Sequence, residues 1–247
     1  MFSDSGNVDA ENGGEPTRPC SACSALLGRV VSRFETLVTG ELRGWRADAV
    51  APTSTVASML LLVRHGETAA NVDGLLLGRA DPPLTTRGRG QARALADALP
   101  TPDRVIASPL RRALDTAAAF GFAVEVDQRW IELDYGALDG RRAASIPPEV
   151  WERWRSDPTV APGGGEPLAM LGERVREGCA SLLHDAAGGV VVVVTHVSPI
   201  KAAVAWALAV PDDVAWRMYV EDASVTRIDI GPGGPVLRWF NRLPPTA

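Results

Sequence analysis

The stretch Leu60-Leu61-Leu62-Val63-Arg64-His65-Gly66-Glu67-Thr68 runs from four apolar residues straight into an arginine, a histidine and a glycine. A strand buried on both faces reads as a continuous apolar run, and open α/β sheets gather ligands at the carboxyl ends of such strands. Arg64 supplies a planar, permanently charged fork suited to phosphate oxygens. His65 supplies a nitrogen that can act as nucleophile, base or metal ligand near neutral pH. Gly66 lets the backbone turn tightly against whatever is held there. By itself the stretch leaves a phosphate loop, a metal site and a surface loop with an incidental histidine all open.

Reading outward, the pattern returns. Val190 to Val194 is five valines in a row, ending at Thr195-His196, and Ser198-Pro199 opens a helix through Leu208. Arg104-Val105-Ile106-Ala107 reads as a strand leading into Ser108-Pro109, a pair that suits an N-cap followed by proline at the first helical position. The helix after it carries Arg111 and Arg112 in its first turn and buries Ala113, Thr116, Ala117 and Phe120. Thr85 or Thr86 caps a helix whose Ala92, Leu95, Ala96 and Leu99 share a face. A short strand is expected near Val124-Glu125-Val126, and Leu171, Val175 and Leu182 mark a helix over 168–186. The tail, about 215–240, reads as three short strands, with Gly231-Pro232-Gly233-Gly234-Pro235 as a turn. Strands alternating with helices predict an α/β fold, a three-layer α/β/α sandwich with a mostly parallel central sheet.

Two strands thus end on histidines, and a third delivers an arginine to the first turn of a helix. If these strands are neighbours, two imidazoles and two guanidiniums converge with helix N-termini, an arrangement for a tetrahedral dianion. Of the three histidines, His184 lies within a helix and reads as surface or packing. No HExxH, HxH or supporting carboxylate pattern accompanies the other two, and converging arginines repel a cation, so no metal is expected.

Composition narrows the field. A chain of 247 residues, 46% hydrophobic with a net charge of -5, is long enough for one sizeable core and lacks the basic footprint of a nucleic-acid binder. Lys201 is the single lysine, so nearly every cation is an arginine. Cys20 and Cys23 form a CxxC without a second pair, and Cys179 stands far away; three cysteines without a disulfide framework fit a reducing cytoplasm. No signal peptide and no membrane-spanning stretch are expected. Residues 1–57 read as an extension. Its first nineteen residues are Gly, Asn, Asp, Glu and Pro rich and expected to be disordered, and a single amphipathic helix is expected over about 24–38. Residues 58–247 form the main domain. Met59 is an alternative start.

Several blocks carry a family resemblance. They are Arg64-His65-Gly66-Glu67-Thr68 with Asn71, and Gly78-Arg79-Ala80-Asp81-Pro82-Pro83-Leu84-Thr85 with Gly88 and Gln91. Next come Ser108-Pro109-Leu110-Arg111-Arg112-Ala113 with Thr116-Ala117, and Trp130-Ile131-Glu132-Leu133-Asp134-Tyr135-Gly136 with Asp139-Gly140. Pro162-Gly163-Gly164-Gly165-Glu166 and Val194-Thr195-His196 close the set. In this order, over about residues 59–210, they closely resemble the histidine phosphatase superfamily, branch 1, the phosphoglycerate mutase-like group.

The resemblance implies that His65 is a nucleophile forming a phosphohistidine that water then hydrolyses. It implies that Arg64, Arg112 and His196 hold the phosphoryl oxygens and that Asn71 adds a neutral donor. Glu132 would be general acid and then base, with Asp134 its rival, as Arg111 is the rival of Arg112. Substrate contacts are carried over to Asn71, Gly78, Arg79, Val197 and Ser198. Where family members commonly carry Gly-Gly after the second histidine, this chain has Val197-Ser198-Pro199-Ile200-Lys201, an ending similar to that of acid or α-ribazole-phosphate phosphatases. The mutases of the group carry a long insertion after the Glu-bearing block, whereas about twenty residues separate Gly140 from Gly163 here. That favours a phosphomonoester hydrolase acting on a small phosphorylated metabolite. A phosphoglycerate mutase-type transferase and a non-catalytic phospho-ligand binder are the alternatives. No cofactor is implied, and a monomer or homodimer is expected. Arg79, Trp130, Trp151, Trp154, Arg155 and the Gly163–Gly165 loop are expected to border the pocket mouth, unless the tryptophans pack a lid.

Overall fold

The computed structural model describes residues 58–185 and 189–244. The extension of residues 1–57, its helix over 24–38 and the Cys20/Cys23 pair lie outside them, as does the side chain of His184.

Six strands form one sheet in the order β3-β2-β4-β1-β5-β6. They are β1 (Ser58–Arg64), β2 (Arg104–Ala107), β3 (Val124–Val126), β4 (Val190–Thr195), β5 (Val225–Gly231) and β6 (Gly234–Arg242). The first four are mutually parallel, while β5 runs antiparallel to β1 and β6 antiparallel to β5. Parallel neighbours need long crossovers, and these carry the helices: α1 (Ala69–Val72), α2 (Thr86–Ala98), α3 (Arg111–Ala117), α4 (Pro148–Ser156), α5 (Leu168–Asp185) and α6 (Val197–Leu208).

The apolar runs of β1 and β4 make three layers because successive strand side chains point to opposite faces. Leu60, Leu62, Val191 and Val193 pack with Trp130, Leu171, Val175 and Ile200, the face covered by α5 and α6. Leu61, Val63, Val192 and Val194 pack with Leu95, Ala113, Ala117 and Phe120, the face covered by α2 and α3. Each such fully buried aliphatic side chain contributes about 1.5–3 kcal/mol relative to exposure.

The expected α/β/α sandwich is therefore the one observed, with two local corrections. The tail holds two strands, not three: Asp212–Arg217 is a 3-10 helix, and β5 and β6 form a hairpin that turns at the expected glycine-proline run. Ser108 does not cap α3, whose N-cap is Leu110 without a side-chain bond. The Asp81 carboxylate receives the Arg111 N–H at 2.8 Å instead.

Two glycines fix where the loop after β1 rests. Gly66 and Gly88 face each other so closely that a Cβ on Gly88 would run into the Glu67 backbone, and one on Gly66 into the Gly88 carbonyl. Thr85 caps α2 by accepting the Gly88 N–H at 2.9 Å. Gly90, two residues along the same helix, is exposed and has open space around it. Gly88→Ala should destabilise the protein by about 1–3 kcal/mol through overpacking, whereas Gly90→Ala should stabilise it by about 0.8–1 kcal/mol through helix propensity. Urea unfolding of the two variants checks the contrast, and equal effects would refute it.

Candidate active site

The sheet register brings the functional loops together. Arg64 pairs with Thr195 and Ala107 with Val194, so β1, β4 and β2 end side by side. His65, His196 and Ser108 are the residues immediately after those ends. The His65 N–H donates to the Thr195 carbonyl and the Ser108 N–H to the Val194 carbonyl, both at 3.0 Å. The rings of His65 and His196 come within 5.1 Å, centroid to centroid, tilted by 59°.

The tautomers follow from the partners. His65 Nδ1 lies 2.8 Å from the Gly66 carbonyl. A carbonyl only accepts, so Nδ1 carries the proton and Nε2 keeps its lone pair. His196 Nδ1 accepts from Arg112 Nε at 3.2 Å, which puts the proton on Nε2, 2.7 Å from the Ser108 hydroxyl. Both pKa values lie well below the ordinary imidazole value. Burial is the main cause for each; Arg64 and then Arg112 add to it for His65, and Arg112, His65 and Arg64 for His196. Both rings are neutral near pH 7.

Arg112 is fully buried. Its guanidinium is solvated by protein carbonyls: Nη1 donates to Ala80 at 2.7 Å, and Nη2 to Gly78 at 2.8 Å and Leu77 at 3.4 Å. The loop supplying those oxygens is pinned by Asp139, whose carboxylate accepts the N–H groups of Gly78, Arg79 and Ala80, each at 2.8 Å. Arg111, by contrast, is exposed and pairs with Asp115. Arg64 is half-buried, donating from Nη1 to the Val220 carbonyl at 2.6 Å and pairing with Asp222 at 2.7 Å.

Glu132 sits at the N-terminus of α6. Its carboxylate accepts the N–H groups of Val197 at 3.1 Å and Ser198 at 3.2 Å, besides that of Leu133 at 2.7 Å. A helix N-terminus offers unpaired N–H donors and a positive dipole end, which hold an anion. Asp134 instead accepts the Gly136 N–H in a local turn.

The remaining expected residues divide. Asn71 uses its Oδ1 in a capping box with Thr68, leaving the amide N–H groups for other partners. Gly78 offers its backbone to Arg112 and Asp139. Arg79 reaches Glu166 at 3.5 Å, and Arg174 holds the same carboxylate at 2.7 and 2.9 Å. Trp130 does not border a pocket mouth: it is wholly buried between β4 and α5, because its ring fills the space over Gly178. Trp151 and Trp154 stack at 5.5 Å, Trp216 meets Trp154 edge-on at 4.9 Å, and Arg155 lies over Trp216.

Four supports of the site are not marked as such by the sequence. Ser108, whose place before a proline suggests a cap, serves His196. Thr116 accepts the Gly66 N–H at 3.0 Å and so ties the histidine loop to α3. Asp139 and Asp222 act across 59 or more positions; Asp139 is visible only as a member of a matching block, and nothing local marks Asp222. Among the described residues, no three His, Cys, Asp or Glu side chains cluster to hold a metal ion, and no helix is long and apolar enough to cross a membrane.

Comparison with known proteins agrees with this geometry. The chain is 35% identical over 193 residues to a bifunctional protein of Mycobacterium tuberculosis, covering 74% of this chain and 52% of that one. It therefore spans about half the length of the curated relatives it matches first. It is 33% identical over 181 residues to a probable phosphoglycerate mutase of Yersinia enterocolitica, covering 69% of this chain and 84% of that one. The solved structure of a mycobacterial glucosyl-3-phosphoglycerate phosphatase superimposes with a TM-score of 0.67 at 31% identity, covering 74% of this chain and 98% of that one. The family profile described as the histidine phosphatase superfamily (branch 1) matches residues 60–243, from β1 through the last strand of the sheet, and the chain belongs to that superfamily.

Proposed function

We propose that residues 58–247 form a phosphomonoester hydrolase that works through a phosphohistidine on His65. The observation that carries this reading is the state of His65. Its Nδ1 proton is committed to the Gly66 carbonyl, its Nε2 lone pair is unshared, and burial beside Arg64 and Arg112 holds the ring neutral. A neutral, oriented imidazole is what nucleophilic attack on phosphorus requires.

The chemistry follows from that lone pair. Nε2 forms a bond to phosphorus as the ester oxygen leaves, taking a proton from Glu132. A water then gives its proton back to Glu132 and attacks the phosphohistidine, releasing inorganic phosphate and restoring His65. Arg64, Arg112, His196 and Asn71 stabilise the charge spread over the transferring oxygens, where preorganised donors need no reorganisation. The Val197 and Ser198 N–H groups orient the Glu132 carboxylate. The substrate is a small phosphorylated metabolite, as for the relative that hydrolyses glucosyl-3-phosphoglycerate. A cytoplasmic location is part of the proposal, supported by Cys179, a free, buried thiol.

One relative is named a probable mutase, and transfer is the second reading. The segment between Gly140 and Gly163 carries the nine-residue α4 and a three-residue 3-10 turn, Ala143–Ser145, which leaves little to keep water from the phosphohistidine.

A labelled phosphomonoester such as phenyl phosphate should leave an acid-labile phosphoenzyme after rapid quenching, absent in His65→Ala. Glu132→Gln should lower kcat by about 10²–10⁴-fold. A wild-type chain that neither labels nor turns over any ester in a broad panel would favour the binding module. Supplied with 3-phosphoglycerate and 2,3-bisphosphoglycerate, the protein should release phosphate faster than it isomerises, and fast isomerisation with little free phosphate would sink hydrolysis.

The histidine state has its own test. Because both imidazole pKa values are lowered, the neutral forms persist as pH falls below the ordinary value of about 6.5. NMR titration of the His65 and His196 rings should give midpoints below that value. A midpoint at or above it contradicts the geometry.

A further inference from the structure

A cavity of about 190 Å³ opens beside the N-terminus of α6, bounded by Leu76, Tyr135, Trp151, Trp154, Trp216 and Lys201. It adjoins the reacting groups, since Leu133, Val197 and Ser198, whose N–H groups bind Glu132, also line it. A cavity of roughly 150 Å³ lined by apolar side chains accepts benzene, so this one suits a single ring or a compact chain of similar bulk. Three of its walls are indole rings packed on one another.

Its one charged wall is Lys201. The nearby arginines each hold a protein partner: Arg64 pairs with Asp222 and donates to the Val220 carbonyl, Arg112 donates to the carbonyls of Leu77, Gly78 and Ala80, and Arg174 pairs with Glu166. Lys201 makes no hydrogen bond or ion pair among the described residues. It lies on α6, one turn beyond Val197, and is half-buried. Burial lowers its pKa, with Glu132 pulling the other way. A partly desolvated ammonium without a partner is costly unless an anion arrives to pair with it. Trp154 adds a buried indole N–H with no acceptor. A single ammonium balances a monoanion, which favours a carboxylate over a second phosphate.

We propose that this cavity is the leaving-group subsite and that it selects phosphomonoesters whose alcohol portion is a compact or planar apolar body ending in a carboxylate held by Lys201. The proposal rests on the hydrolase reading above and names its substrate class. Lys201 is then a specificity-determining residue, since α6 places it beside the cavity and not at the phosphorus. The body of the alcohol packs on Trp151 and Trp216.

A pair of esters that differ only in charge tests this. The kcat/KM for 4-carboxyphenyl phosphate should exceed that for 4-carbamoylphenyl phosphate by about ten- to hundredfold, the scale of one hydrogen bond to a charged group. In Lys201→Met the ratio should fall to about one; being internal to each variant, it is insensitive to partial loss of folded protein. A ratio near one in the wild type, or one that survives in Lys201→Met, overturns the assignment while leaving hydrolysis intact. Failure to hydrolyse either ester, or phenyl phosphate, overturns the hydrolase reading and this one with it. Should Lys201→Met not fold, the wild-type chain still decides, because its single lysine can be followed by acetylation and peptide mass spectrometry. 4-Carboxybenzylphosphonate should protect Lys201 and benzylphosphonate should not. Equal protection by the two, or none, overturns the proposal.

Discussion

A fully buried guanidinium is the constraint on which the site depends. Arg112 has no water to solvate it, and an unpaired buried charge costs several kcal/mol. The protein meets that cost with three carbonyls, those of Leu77, Gly78 and Ala80, and with the ring nitrogen of His196. Carbonyls of a loop solvate a cation only if the loop cannot swing away, and Asp139 prevents that by gathering three successive N–H groups. One carboxylate thus orders a loop, the loop orders an arginine, and the arginine selects the tautomer of a histidine.

The same positive charge sets the imidazoles. Two rings beside two guanidiniums and out of water are most stable without a proton, and each neutral ring still needs its N–H satisfied. Gly66 takes one and Ser108 the other. Glu132 stands apart from this logic, held by the positive end of α6 and close to, but not paired with, Lys201. In the proposed hydrolysis, cations on the phosphate side would bind charge and a carboxylate on the leaving-group side would move protons.

His65 and His196 stand out in the sequence because each follows the end of an apolar run, whereas Arg112 and Glu132 carry no such local mark and are singled out by the family resemblance. Leu60 to Val63 and Val190 to Val194 could only be buried strands, and period-two alternation then sends their side chains to two faces. Ser108 was misread because a serine before a proline has a local use as a cap, and nothing local reveals that a histidine 88 positions later needs an acceptor. Trp130 was misplaced because a large aromatic residue near a motif serves packing and binding equally well. Arg79 lies 3.5 Å from Glu166, a neighbour 87 positions away that no local pattern announces. The third tail strand failed because Asp212–Arg217 carries too few apolar residues to distinguish a short strand from a 3-10 turn.

Strand identity, layer order and the residues at the strand ends are thus properties of local pattern, since burial periodicity and backbone freedom act over a few residues. The tautomers of His65 and His196, the carbonyl cage of Arg112, the seat of the Glu132 carboxylate at the N-terminus of α6 and the lack of a partner for Lys201 among the described residues are not. Each depends on atoms that come together only after the parallel strands align, across separations of tens of residues. Hydrogen bonds and desolvation act at contact range, so the chemistry of the site belongs to the packed chain.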